Sequence, residues 1–417
     1  MKKTFYTYTV REDGRWTLVD PAGRPFYSLG VDCVTYPMRY GRIDLVKKYG
    51  GGHRWFEAWA DAKLEQLKEM GFNTLGAWHE KYYWGNNFPK TIEIRMSQHA
   101  AKANLGWGAG FPDVFDKSFE ESVHRALIDH FHGKGQLLLE DESVIGYFTD
   151  NELHWWGSGG RWGQNDPGEK NNDTSLVNDY IYLPEHAAGK RAWVDFIRKR
   201  YGDIEALNRA WNCEYSDFDD LLYIGNYRAE GEAFEADKLE FLRIIAETYF
   251  KTTSSLLKQY APNHMNLGCR MVGTSTPDVV LEVMKKYVDV ISLNFYSFDL
   301  PRRWLEHVHE LTGKPIMITE FSFCSGSRDG FLYNTNGAQN VIVRNQKRRG
   351  ECYRNFLEQA YEMPFIIGMH WFALYDYDSK GGLLGNYGLL DLEDKPWEEF
   401  TAEVTKVNRE ILEKHER

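Results

Sequence analysis

The chain has 417 residues, a formal net charge of −11 and 42% hydrophobic residues. That acidic balance, with no long basic run to offset it, argues against nucleic acid or an anionic membrane surface as a partner. Its five cysteines, Cys33, Cys213, Cys269, Cys324 and Cys352, form no Cys-x-x-Cys pair, which argues against a zinc ribbon or a disulfide framework.

Residues 1–25 read as a small β-rich extension. Residues 4–10 alternate, Glu12-Asp13-Gly14-Arg15 turns, 16–19 is a short strand, and Asp20-Pro21-Ala22-Gly23 turns again. Residues 26–31 read as strand one of a larger sheet, ending at Asp32. Leu64, Leu67 and Met70 recur at helical spacing within 61–70, Gly71 ends that helix, and 72–78 is strand two. Strand three, at 91–96, carries the weakest pattern. A helix over 118–131 takes Ser118 as its cap. Strand four is 144–150. A Gly/Asn/Asp-rich loop fills 157–178, followed by helices over 184–201, 204–211 and 237–260.

Strand five is 264–271. The next helix, 277–287, has Thr276 as cap and Pro277 at its first position. Strand six is 288–295, and a helix over 304–311 ends before Gly313. Strand seven is 315–319. The loop from 322 to 340 contains Ser325-Gly326-Ser327-Arg328-Asp329-Gly330, a lid or a solvated turn. A helix covers 341–363, with Lys347-Arg348-Arg349 as a solvated stretch near its start. Strand eight is 365–373, a third loop runs from Gly381-Gly382, and a helix over 397–412 closes the chain.

Strands alternating with helices specify a parallel sheet with helices outside it. Eight such units make the fold α/β, a (β/α)₈ TIM barrel. Residues 1–417 then form one domain, with long loops at the C-terminal face. A doubly wound sheet is the alternative, but Gly30-Val31-Asp32-Cys33 after strand one supplies no Gly-rich phosphate turn. The N-terminus MKKTFYTYTV alternates polar and aromatic residues and lacks the apolar core of a signal peptide. No apolar run approaches the roughly 20 residues that span a bilayer, so a cytoplasmic location is expected.

Two barrel strands end in carboxylates. Val144-Ile145-Gly146-Tyr147-Phe148 runs into Thr149-Asp150-Asn151-Glu152, and Ile316-Met317-Ile318-Thr319 runs into Glu320. Catalytic groups of a parallel barrel sit at this rim. Phe148, Trp155 and Trp156 could keep Glu152 protonated as a general acid. Asn151 could hold a sugar hydroxyl. Read separately, Asp150-Asn151-Glu152 could merely cap a loop and Glu320 could be a rim salt bridge. Together they match the two carboxyl groups that glycoside hydrolysis requires across a scissile bond.

With Asn151-Glu152 after strand four and Glu320 after strand seven, the chain resembles the superfamily of retaining (β/α)₈ glycosidases, clan A. Leu293-Asn294-Phe295-Tyr296 and His370-Trp371 add to the match. The resemblance implies Glu152 as acid/base, Glu320 as nucleophile, Tyr296 as its hydrogen-bond partner, and Trp371 as the platform under the cleaved sugar. Within the superfamily the chain looks most similar to the β-agarases and their β-galactosidase relatives. The stretches carrying this are Gly14-Arg15-Trp16-Thr17-Leu18-Val19-Asp20-Pro21, Met70-Gly71-Phe72-Asn73-Thr74, Gly146 to Glu152, and Ala206-Leu207-Asn208-Arg209-Ala210-Trp211. Many members place an arginine after strand two. Here Trp78-His79-Glu80 stand there, and Arg270 after strand five is the candidate substitute.

Asn294, Trp78, His79, Trp155 and Trp156 join the candidate sugar-binding set, each with a core or rim-bonding alternative. Asp376 reads as a loop turn residue. The expected partner is an oligosaccharide or polysaccharide, with no cofactor and no metal. A metal-dependent barrel using His79, Glu80, Asp150, Glu152 and His154, and a non-catalytic sugar-binding barrel, are the two other readings.

Overall fold

The computed structural model describes residues 3–37, 43–106, 108–159, 171–229, 231–325, 341–377 and 385–417. Residues 326–330 of the candidate lid, and Gly381-Gly382 of the third loop, lie outside them. A three-stranded antiparallel sheet comes first: β1 (Thr7–Val10), β2 (Trp16–Val19) and β3 (Pro25–Phe26). Gly14, at φ 82°, takes the left-handed conformation that the β1–β2 turn requires.

Eight parallel strands then close a barrel: β4 (Ser28–Val31), β5 (Thr74–Leu75), β6 (Lys90–Glu93), β9 (Val144–Asn151), β10 (Met265–Val272), β11 (Ile291–Asn294), β12 (Ile316–Phe321) and β13 (Ile366–Trp371). The last strand pairs with the first, Trp371 opposite Val31. β7 (Lys102–Asn104) and β8 (Phe111–Pro112) form a separate hairpin after the third barrel strand. The expected TIM barrel is borne out, and all eight expected strands overlap observed ones. β4, β11, β12 and β13 are buried along their whole length, as strands covered on both faces must be.

The barrel's interior core joins Ile145, Phe148, Met265, Leu267, Val290, Met317 and Ile367 to Tyr6 and Leu18 of the extension. The N-terminal sheet therefore plugs the end of the barrel opposite the strand tips. Among the described residues no helix is long and apolar enough to cross a membrane.

Three local expectations are corrected. Helix Lys117–Phe131 is capped by Asp116, whose carboxylate accepts from the Ser118 N–H, while Ser118 Oγ accepts from Ala101. A carboxylate at that position also favours the positive end of the helix. Helix Asp278–Met284 begins one residue later than expected, with Pro277 itself as the cap residue at ψ 145°. Arg349 is fully buried instead of solvated. It donates from Nε to Phe323 O at 2.6 Å and lies over the Phe400 ring at 4.1 Å. Burial lowers its pKa to about 10.

The barrel is polar just beneath its mouth. Ser28 Oγ meets Thr74 Oγ1 at 2.8 Å and His370 Nε2 at 2.9 Å. Two glycines make the room. A Cβ on Gly30 would stand 2.5 Å from the His370 ring, and one on Gly76 would stand 1.9 Å from Asp32 Oδ1. Gly76→Ala should therefore destabilise the fold by about 2 kcal/mol, the ordinary scale for overpacking a close-packed interior. Denaturant melts check this. An unchanged midpoint would mean that Asp32 can move aside at no cost.

Candidate active site

The tip of β9 delivers Glu152 in the left-handed region, at φ 52°. Non-glycine residues take this conformation only where their surroundings enforce it. The enforcing contacts are present. The Glu152 N–H donates to Arg270 O at 2.9 Å, and Asn294 Nδ2 donates to Glu152 Oε1 at 3.0 Å. One residue earlier in the chain than Asn151, Asp150 turns away from the mouth. It accepts from Ser97 N (2.9 Å), Ser97 Oγ (2.8 Å) and the Tyr249 hydroxyl (2.7 Å), so it anchors the tip.

Glu320 lies on β12, 4% exposed. Arg270 Nη1 stands 2.9 Å from its Oε1, and the Tyr296 hydroxyl donates to its Oε2 at 2.5 Å. Arg270 is itself fully buried and shared. Nη2 donates to Asp32 Oδ2 at 2.6 Å and to Thr319 O, and Nη1 donates to Asn151 Oδ1 at 3.1 Å. Asp32 also accepts from Ala77 N at 2.8 Å. The ends of five strands, β4, β9, β10, β11 and β12, thus converge on one guanidinium and three carboxylates, Asp32, Glu152 and Glu320.

The two glutamates are held unequally. Burial, then the negative charge of Glu320, pushes Glu152 up to about 8, against a partial pull downward from the Asn294 amide and Arg270. Burial also raises Glu320, but Arg270 and the Tyr296 hydroxyl pull it back. A guanidinium and a phenol stabilise an anion far better than one amide does. Glu320 is therefore the group that ionises first, and Glu152 the one that keeps its proton. Burial raises Asp32 to about 7 as well, again opposed by Arg270.

The remaining sequence candidates divide. Trp78 lies at the mouth, half-buried, with Arg270 over its ring at 4.5 Å. Its indole N–H donates to Glu93 Oε2 at 2.5 Å. Asn151 and Asn294 bond within the cluster as described. Three expectations fail on burial or direction. Trp371 is 0% exposed and points out of the barrel against Tyr353 and Phe400, so it has no face for a sugar. Trp155 is 1% exposed and stacks on Phe250 in the core. His79 is buried beside Tyr83 with Nδ1 against Gly76 O, and burial lowers it to about 4. Trp156 keeps 7% exposure and stacks on His154. Asp376, expected in a turn, is buried and accepts from Gly388 N, Asn386 Nδ2 and Trp397 Nε1.

Three site residues escaped sequence reasoning: Asp32, Glu93 and Phe372. Phe372 sits edge-on to Trp78 at 6.4 Å and to Tyr296 at 6.5 Å, the place expected for Trp371. The period-two alternation of β13 was the available signal. His370 points inward to Ser28, so Trp371 must point outward. Among the described residues no group of three or more His, Cys, Asp or Glu could hold a metal ion. A cavity of about 660 Å³ lies under the opposite end of the barrel. Four of its charged side chains pair with one another, Arg24–Asp20 at 2.7 Å and Lys3–Glu140 at 3.5 Å.

No protein-family model matches the chain. It is 24% identical to Beta-agarase B of Vibrio sp. (strain JT0107) over 99% of this chain and 49% of that protein. To Beta-agarase A of the same strain it is 26% identical, over 95% of this chain and 44% of that protein. The chain thus spans about half the length of the curated relatives it matches. Among solved structures, an exo-beta-agarase superposes with a TM-score of 0.83 at 22% identity, over 100% of this chain and 66% of that one. A beta-galactosidase from the psychrophilic Marinomonas ef1 superposes more loosely, at 0.55 and 13% identity, over 92% of this chain and 59% of that one. The expected resemblance to the β-agarases, with β-galactosidases as distant neighbours, is borne out.

The raised Glu152 has a consequence for stability. Between its ordinary pKa of 4.5 and about 8, the folded chain holds a proton that the unfolded chain has released. Stability from this group therefore falls as pH rises through that window, and stays lost above it. Glu152→Gln, which cannot ionise, should melt level with the wild type below the window. It should gain on it by a few degrees by its upper end. A melting difference independent of pH would show that burial does not hold the proton on Glu152.

Proposed function

We propose that the chain is a retaining glycoside hydrolase that cleaves β-linked galactosides or agar-type oligosaccharides. The observation that carries this reading is the unequal carboxyl pair, Glu320 against Arg270 and Tyr296, Glu152 against a single amide. Environments that separate the pKa values of two carboxyl groups assign the roles of base and acid between them. Similarity to the beta-agarases supports the substrate class.

In this reading Glu320 attacks the anomeric carbon while Glu152 gives its proton to the departing glycosidic oxygen. The C–O bond breaks as the ester to Glu320 forms. Water then attacks the same carbon, Glu152 takes its proton, and Glu320 leaves as a carboxylate. Arg270 and Tyr296 orient the nucleophile and receive its charge again at the end. Trp78 and Phe372 wall the site with apolar surface suited to the C–H faces of a pyranose. No step calls for a cofactor.

The test is hydrolysis of a panel of aryl β-glycosides and agaro-oligosaccharides by wild type and by Glu320→Ala. Wild type should release galactose-containing products, and the variant should fall at least a thousandfold. A 2-deoxy-2-fluoro galactoside with a good leaving group should label Glu320, read by peptide mass. Labelling of another carboxylate would sink the assignment, and binding without turnover would favour a non-catalytic sugar-binding barrel. The pH profile follows from Glu152. Because the acid must hold its proton, kcat/KM should fall as pH rises through about 8. Glu152→Ala, given a substrate whose leaving group needs no protonation, should lose that alkaline limb.

A further inference from the structure

Glu93, the last residue of β6, plays no part in the steps above, yet its side chain is only 3% exposed beside them. Its Oε2 is doubly used, accepting from Trp78 Nε1 at 2.5 Å and from Arg95 Nε at 2.8 Å. Among the described residues nothing bonds its Oε1, and that oxygen is not sealed from solvent as the buried unpartnered atoms are. The charge of Glu93 is felt at both Glu320 and Arg270, so it stands at the same mouth.

Trp78 and Arg95 hold it there at a conformational cost. Both are left-handed, at φ 60° and φ 62°, a conformation bulky residues keep only where the surroundings fix it, as ligand clamps do. An indole N–H lies in the plane of its ring, so the carboxylate it bonds borders the edge of the platform. One face of Trp78 lies under Arg270. The ring itself is only partly buried.

From this juxtaposition we infer that Glu93 selects the sugar, accepting through Oε1 a hydroxyl from the edge of a hexopyranose whose C–H face lies on Trp78. The chemistry fits a galactose-configured ring. Its axial 4-hydroxyl leaves the opposite face as continuous C–H surface for the indole, and its 4- and 6-hydroxyls project from one edge as donors. A carboxylate oxygen can only accept, and a buried one left without its donor is costly. The pair therefore discriminates against a ring that lacks the hydroxyl. This inference rests on the hydrolase reading and names the feature of the sugar that the site selects.

The experiment compares kcat/KM for an aryl β-galactoside with its 4-deoxy and 6-deoxy counterparts, in wild type, Glu93→Gln and Trp78→Phe. Wild type should favour the parent over at least one deoxy substrate by about a hundredfold. In Glu93→Gln, which keeps size and the indole contact, that preference should shrink to within about threefold. Trp78→Phe should lower all three rates while keeping the preference, because Oε1 is untouched. A merely structural Glu93 would lower all three substrates together, so an unchanged preference in a folded Glu93→Gln overturns the inference and leaves the hydrolase reading standing. A wild type that hydrolyses no galactoside overturns the hydrolase reading, and this inference with it.

Discussion

One guanidinium organises the mouth of this barrel. Arg270 is wholly buried, where an unpaired cation would be prohibitive. It is tolerable because Asp32, Glu320, Asn151 and the Thr319 carbonyl surround it. Those groups come from three separate stretches of the chain, and each is fixed in turn by its bond to the arginine. Two carboxylates share one cation, so neither is fully neutralised, and burial together with the charge of Glu320 raises Glu152. Removing the arginine would leave two buried carboxylates without their cation.

The packing below the mouth serves that arrangement. Asp32 reaches Arg270 because Gly76 has no side chain in its way, and His370 fits because Gly30 has none. The imidazole stays neutral there, lowered to about 3 by burial and by the nearby guanidinium. It adds a hydrogen bond to Ser28 without adding a second cation beneath Arg270. Above the same layer, Asp150 ties the tip of β9 to Ser97 and Tyr249, outside the barrel. Glu152 is thus presented from a strand end braced on both sides.

Much of this was legible in the sequence, for a physical reason. Strands buried on both faces must be apolar, so Ile316-Met317-Ile318 and Val144-Ile145 stand out, and a carboxylate at the end of such a run marks the rim. What stayed hidden depends on direction and distance instead of composition. Trp371 and Phe372 are adjacent aromatics, and only the alternation of β13 decides which one faces the site. Trp155 looked like a lining residue because it follows the strand tip that carries Glu152, whereas Phe111, Tyr249 and Phe250 close over it. Arg349 sat in a basic triplet, and nothing local distinguished the member that turns inward beneath Phe400. Glu93 ends a short strand whose pattern is weak, and Asp32 takes its meaning from Arg270, 238 residues away in sequence.

The closure of the barrel has a further side. β13 pairs with β4, and the extension is tied to the far end of the chain, as Trp16 N–H donates to Pro364 O at 2.8 Å and Arg11 donates to His415 O at 2.6 Å. The plug formed by Tyr6 and Leu18 is made before any barrel strand, but the wall it seals is complete only when residue 371 has been made. Until then the apolar inner faces of β9 and β10 look onto water and β4 is an open edge. Such long-range pairing is slow to form and leaves sticky surface exposed meanwhile. The chain is thus most exposed to misassembly during its own manufacture, before the last strand arrives to shut the ring.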